Sequence, residues 1–137
     1  MNLKTILSVC AITLLSACST PPKNENIQSI RLEPKPDFSG MSLVLSCDTS
    51  KNEANVLITS PVVLEKEFRF TSDKSELNLI GSVADDKSGF SKENSKKILN
   101  LIYNANTLKV TTSFTNNAEF DLAKYKTDIQ NNLKACI

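Results

Sequence analysis

The sequence predicts an α+β fold: a small, mostly antiparallel β-sheet or sandwich domain with two helices, preceded by a signal peptide and a disordered tether. Three observations carry this expectation. Between residues 41 and 84, apolar and polar residues alternate with a period of two in four successive stretches, as in strands with one buried face. Two later stretches, residues 91–106 and the segment ending at Cys136, instead repeat apolar residues at spacings of three and four, as in helices packed by one stripe. Ahead of both, four of the five prolines fall between residues 19 and 40, where apolar residues are sparse.

The chain opens "MNLKTILSVCAITLLSAC", with one positive charge at Lys4, an apolar run from Ile6 to Leu15, and then small residues. That run falls short of the roughly 20 residues a membrane-spanning helix needs, and its flanks are those of a secretory signal peptide. Its last four residues, Leu15-Ser16-Ala17-Cys18, resemble the lipobox of bacterial lipoproteins. The resemblance implies cleavage after residue 17, a diacylglyceryl group on the Cys18 thiol, and a fatty acyl chain such as palmitate on the freed amine. It also implies an address. In lipoproteins of diderm bacteria an aspartate after the cysteine commonly retains the protein at the inner membrane, and Ser19 in that place implies the outer membrane, facing the periplasm. An ordinary signal peptide with an incidental cysteine is the alternative. Cys10 lies within the leader and is lost with it.

Residues 18–40 are expected to form the lipidated cysteine and a flexible linker, because too little apolar surface is present to offset the entropy of ordering them. As a flexible coil, about 20 residues would hold the following domain some 25 Å from the bilayer on average. Ile27, Ile30 and Leu32 leave open a short edge strand at the end of this segment.

The globular domain is expected over residues 41–137. In "MSLVLSCD", Met41, Leu43, Leu45 and Cys47 share one face, so Cys47 points inward. "TSKNEA" reads as a turn and "NVLITS" as a second strand. Pro61 either ends that strand or starts "VVLEKEFRF", whose Val62, Leu64, Lys66, Phe68 and Phe70 alternate with Val63, Glu65, Glu67 and Arg69. Residues 75–84 make a fourth strand, and "DDKSG" a loop. The helix over residues 91–106 places Ile98, Leu101, Ile102 and Ala105 on one stripe, with Ser91 as N-cap and Glu93 near the positive end of the helix dipole. "TLKVTTSF" alternates again through Leu108, Val110, Thr112 and Phe114. A turn at "TNNA" leads to a short strand over residues 119–122. A final helix then carries Ile129, Leu133 and Cys136 inward.

Once Cys10 is discarded and Cys18 lipidated, Cys47 and Cys136 remain. In an oxidising compartment two such thiols pair, and the bridge would tie the first core strand to the last helix. A reactive thiol or a metal pair is the competing reading, but the chain has no histidine and no CxxC spacing.

The cysteine-bearing first strand, the Phe-Arg of "EFRF", the helix running into "LIYNANTLKV", and "FDL" followed by a helix ending "LKAC" together resemble small exported bacterial proteins. These are the type VI secretion-associated envelope proteins and the invasion-associated locus B-like proteins. The resemblance spans Met41 to Cys136 and implies a β-rich domain with two helices. It implies no catalytic residue, and the tryptophan and extra cysteines of some relatives are missing here.

Several chemistries are excluded or disfavoured. Without histidine no Ser-His-Asp or Cys-His arrangement exists. Ser88 or Ser91 with Lys92 could in principle form a dyad, and Glu65 with Glu67 a carboxylate pair, but the glutamates alternate onto a solvated strand face. Asp85-Asp86 lacks the alternating spacing of a calcium loop. Lysine plus arginine number 16 against 15 acidic residues, and losing Lys4 brings the two to parity, so no footprint for nucleic acid exists. No cofactor or metal is expected. The expectation is therefore a non-enzymatic envelope protein, held to the membrane by its lipid, that binds a protein partner through residues such as Phe38, Arg69 or Tyr125. For each of these three, half-buried packing or a capping salt bridge is the first reading and a partner contact the second. The alternatives are an inhibitor or exclusion factor against an incoming enzyme or phage and, ranked third, a hydrolase.

Overall fold

The computed structural model of the chain describes residues 26–36, 40–60, 66–112 and 117–137. The expected signal peptide, the lipobox with Cys18, and Phe38, Glu65 and Phe114 lie outside them.

The fold is α+β, with two antiparallel sheets and two helices. In the first sheet β1 (Ile27–Leu32), β2 (Ser42–Asp48) and β3 (Glu53–Thr59) run as neighbours, followed by two short strands, β7 (Lys87–Gly89) and β6 (Ser82–Ala84), in the order β1-β2-β3-β7-β6. The second sheet has the order β5-β4-β8-β9, from β5 (Glu76–Ile80), β4 (Glu67–Ser72), β8 (Thr107–Thr112) and β9 (Asn117–Asp121). Helix α1 (Lys92–Tyr103) lies chiefly against β3 and also reaches β4 and β5, while α2 (Lys126–Leu133) lies against β1 and β2. Short 3-10 turns at Leu122–Tyr125 and Lys134–Cys136 flank α2.

The alternation read from the sequence sets which residues point inward. Leu43, Leu45 and Cys47 of β2, Val56 and Ile58 of β3, Phe68 and Phe70 of β4, and Leu108 and Val110 of β8 are all buried in one continuous core. Ile98, Leu99, Leu101 and Ile102 of α1 join it, as do Ile129 and Leu133 of α2. Phe90, on the link between β7 and α1, meets Phe68 and Phe70 edge-on at centroid distances of 5.3 and 5.6 Å, the arrangement that the ring quadrupole favours. Ser91 caps α1 as expected, its Oγ accepting from the Asn94 N–H at 3.1 Å.

Three expectations are corrected. The linker predicted over residues 18–40 includes β1, the edge-strand alternative. Its residues pair with β2 from Ile27 opposite Asp48 to Leu32 opposite Leu43, and Leu32 is fully buried. Two buried side chains and a ladder of backbone hydrogen bonds offset the ordering cost there, and Pro34 and Pro36 follow where the strand has ended. The single strand predicted over residues 75–84 is two. Gly81 separates β5 in one sheet from β6 in the other, and its N–H extends the β4 ladder to the Lys66 carbonyl at 2.7 Å. A side chain does not fit at this corner, because a Cβ on Gly81 would sit 2.9 Å from the Gly89 carbonyl oxygen. Finally, "DDKSG" is a hairpin, with Asp85 and Asp86 as the turn and Lys87–Gly89 as β7; Asp85 takes φ 56°, a region aspartate tolerates better than most residues.

The sheets also meet on their other flank, where the Lys35 N–H, just past β1, donates to the Glu119 carbonyl of β9 at 2.7 Å. Cys47 and Cys136 form a disulfide with Cα atoms 5.8 Å apart, fastening the end of the last turn to β2.

Candidate functional site

The outer face of the second sheet carries an open relief of side chains. On β4, Glu67 and Arg69 point away from the core because Phe68 and Phe70 point into it; on β5 the same alternation turns Glu76, Asn78 and Ile80 outward. The register then places Arg69 between Asn78 on one side and Thr111 of β8 on the other, and Glu67 beside Ile80. An open trough of about 580 Å³ runs over these residues. Arg69 Nε donates to Asn78 Oδ1 at 3.2 Å and lies 3.5 Å from Glu76 Oε1. These contacts hold the Arg69 side chain, which is still 59% exposed. Ile80 beside it is 69% exposed, the most exposed of the large apolar side chains described. A second, smaller trough of about 280 Å³ continues over the same sheet past Thr71, Lys109, Glu119 and Lys35. Neither encloses a small molecule in the manner of a substrate pocket. Shallow relief around a half-held arginine and a bare isoleucine suits a macromolecular contact.

The other sequence-marked residues have structural roles or are not brought together. Tyr125 is half-buried and its hydroxyl accepts from the Glu33 N–H at 3.1 Å, latching the end of β1, while Lys124 Nζ lies 5.5 Å from its ring centroid. Ser88 is fully buried on β7, and its Oγ has no hydrogen-bond partner among the described residues. Ser91 Oγ is committed to its cap. Lys92 reaches Glu53 Oε1 at 2.8 Å with its side chain 74% exposed. Ser88, Ser91 and Lys92 are therefore not joined as a dyad. Asp86 uses its backbone carbonyl to accept from the Ser60 N–H at 3.2 Å, extending the β3–β7 ladder. Among the described residues no three histidine, cysteine or acidic side chains converge as metal ligands.

Two aspartates that the sequence reading passed over fix turns. Asp73, between β4 and β5, accepts from the Asn106 N–H at 2.8 Å and from the Thr107 N–H at 3.3 Å. These backbone donors, the Asn106 bond foremost, hold its carboxyl below the ordinary aspartate range. Asp48 is lowered in the same way, chiefly by the Ser50 hydroxyl at 2.6 Å. An aspartate inside "TSDKS" signals a turn, but its partner after α1 is 33 residues away and leaves no local mark.

Compared with protein-family models, with curated proteins and with solved structures, the chain matches none.

Proposed function

We propose that this chain is a lipid-anchored envelope protein, held by acyl chains on Cys18 at the periplasmic face of the outer membrane, and that its domain is a non-catalytic module that docks a protein partner. The observation that carries the reading is the seam at residues 15–18, where an apolar leader too short to span a bilayer meets a cysteine in lipobox context. Stable anchoring takes more than one chain, at about 0.8 kcal/mol per buried methylene, and the implied modification supplies three. The Cys47–Cys136 bridge supports export, since such bonds persist in oxidising compartments. The resemblance to small secretion-associated envelope proteins, seen in the order of motifs, agrees with that address. For the docking surface we assign the outer face of the second sheet around Arg69 and Ile80, with Arg69 as the sequence-marked contact that is free to act.

The test compares wild type, Cys18→Ala and Arg69→Glu by labelling with a palmitate analogue, membrane flotation, and pull-down from detergent-solubilised envelopes. Wild type should label and float and Cys18→Ala should do neither, whereas Arg69→Glu should float but lose its partner. Equal labelling of wild type and Cys18→Ala would refute the anchor. Recovery of a foreign hydrolase in place of a stoichiometric envelope component would turn the reading to an inhibitor or exclusion factor.

A further inference from the structure

Of the four exposed large apolar side chains among the described residues, Ile80 and Val83 belong to β5 and β6, and the other two, Ile27 and Ile137, lie at one pole of the molecule, the end of the first sheet where β1 begins, with Ile27 on the outer face of that sheet. Ile27 opens β1 opposite Asp48, and the Asn26 carbonyl accepts from the Thr49 N–H at 2.8 Å, so β1 begins against the β2–β3 turn. Gln28 registers with Cys47, whose disulfide brings Cys136 to a Cα distance of 5.8 Å, and Ile137 follows directly. Ile27 is 46% and Ile137 38% exposed. The exposed lysines Lys51, in the β2–β3 turn, and Lys134, in the last 3-10 turn, stand at the same pole. Apolar tips flanked by long-stemmed ammonium groups suit the boundary between acyl chains and headgroups, where lysine stems lie along apolar surface and the charge stays wet. Among the described residues Asp48 and Glu53 are the acidic groups there, and Glu53 is already paired with Lys92, so these residues bring no excess negative charge to repel an anionic headgroup.

The length of chain leading to this pole names the occupant. Eight residue steps separate Cys18 from Asn26, and no conformation of eight residues exceeds about 29 Å. That reach is less than the diameter of a domain of this size, because a sphere with a radius of gyration of about 13 Å is about 34 Å across. An anchor at Cys18 therefore keeps the Ile27 end from lying on the far side of the domain from the bilayer.

Resting on the lipid-anchor reading, we propose that the pole formed by Ile27, Ile137, Lys51 and Lys134 docks on the membrane surface itself. The bound lipids thus orient the domain as well as retain it, and the Arg69 and Ile80 face is left accessible to partners.

The sequence contains no tryptophan, so single-tryptophan variants report without background. Lipidated Ile27→Trp, Ile137→Trp and Ile80→Trp are reconstituted into phosphatidylethanolamine and phosphatidylglycerol vesicles, with or without a brominated phosphatidylcholine, and flotation is measured on the same samples. Ile27→Trp and Ile137→Trp should shift to the blue and be quenched by the brominated lipid, and Ile80→Trp should show neither change. Flotation without quenching, or with equal quenching at all three positions, overturns the docking pole alone. Failure to float overturns the anchor and the pole together. Should either pole variant fail to fold, judged by circular dichroism, Lys51→Cys carrying a bimane label reads the same contact.

Discussion

Reducing the Cys47–Cys136 bond should lower the melting temperature by an amount that the loop length sets. The bond closes a loop across a sequence separation of 89. In the chain-entropy model, a loop of that length removes about 4.6 kcal/mol of disorder from the unfolded chain at 25 °C. A folded span of roughly 110 residues unfolds with an entropy near 2.1 cal/mol/K per residue, about 0.23 kcal/mol/K in all, so the expected loss is about 20 °C. Both sulfurs are buried, Cys47 at 0% and Cys136 at 1% exposure, so reductant reaches the bond only when the domain opens. The comparison accordingly needs protein reduced in urea and refolded in reductant, beside oxidised protein carried through the same steps. Thermal melting followed by far-ultraviolet circular dichroism reads the shift. Urea unfolding should show a larger m value for the reduced form, whose unfolded chain expands further. A shift under about 5 °C would refute the reasoning, since the bridge would then remove little disorder from the unfolded chain. Two thiols alkylated in the native protein without reduction would refute it more directly.

Three other perturbations test the fold. Ser95→Ala removes the hydroxyl that accepts from the Val56 N–H at 3.1 Å on the stretch of β3 that β7 does not reach; it leaves a buried donor unpaired and should cost about 1–3 kcal/mol in urea unfolding. Gly81→Ala brings a Cβ to 2.9 Å from the Gly89 carbonyl, and because that oxygen belongs to backbone the loss should be about 1–3 kcal/mol, with wild-type stability contradicting the corner. Asp48 and Asp73 have carboxyls lowered by folding, so their stabilisation is complete above the unfolded value and is lost as pH falls through the lower folded one. Urea midpoints measured from about pH 5 down to pH 2 should therefore fall, and Asp73→Asn should flatten part of that fall. An unchanged slope in the variant would remove Asp73 from the account.

The buried halves of the strands were legible because alternation is a local signal with a large energetic consequence. Burying a leucine or phenylalanine is worth about 1.5–3 kcal/mol, so the faces of Leu43, Leu45, Phe68, Phe70, Leu108 and Val110 could be read from spacing alone. The Ser91 cap and the α1 stripe were legible for the same reason. The bridge was legible because two inward cysteines were left over once Cys10 and Cys18 had been assigned to the expected leader and anchor. What escaped was decided at a distance. Alternation continues through Gly81 without a break, since the change of sheet depends on Gly89 and Phe90 passing close behind it. Lys87–Gly89 is too short and too polar to announce itself, and becomes a strand because β3 offers it an edge from Leu57 to Thr59.

The candidate surface is harder to read than the core for a physical reason, not for want of residues. An outward residue contributes little to folding, so a sequence constrains it weakly, and Arg69 looks the same in either role until its neighbours are placed. Tyr125 and Arg69 started level as contacts. The fold separates them, because the Tyr125 hydroxyl is spent on the Glu33 N–H and the tyrosine is already half-buried, whereas Arg69 sits mid-sheet, exposed and held among the described residues by Asn78 and Glu76. That difference yields a last expectation. Tyr125→Phe should cost about 0.5–1.5 kcal/mol of stability and leave partner recovery intact, while Arg69→Ala should leave stability within about 0.5 kcal/mol and reduce recovery. If the two variants exchange these effects in urea unfolding and pull-down, the docking face lies by β1 and α2 instead of across the second sheet.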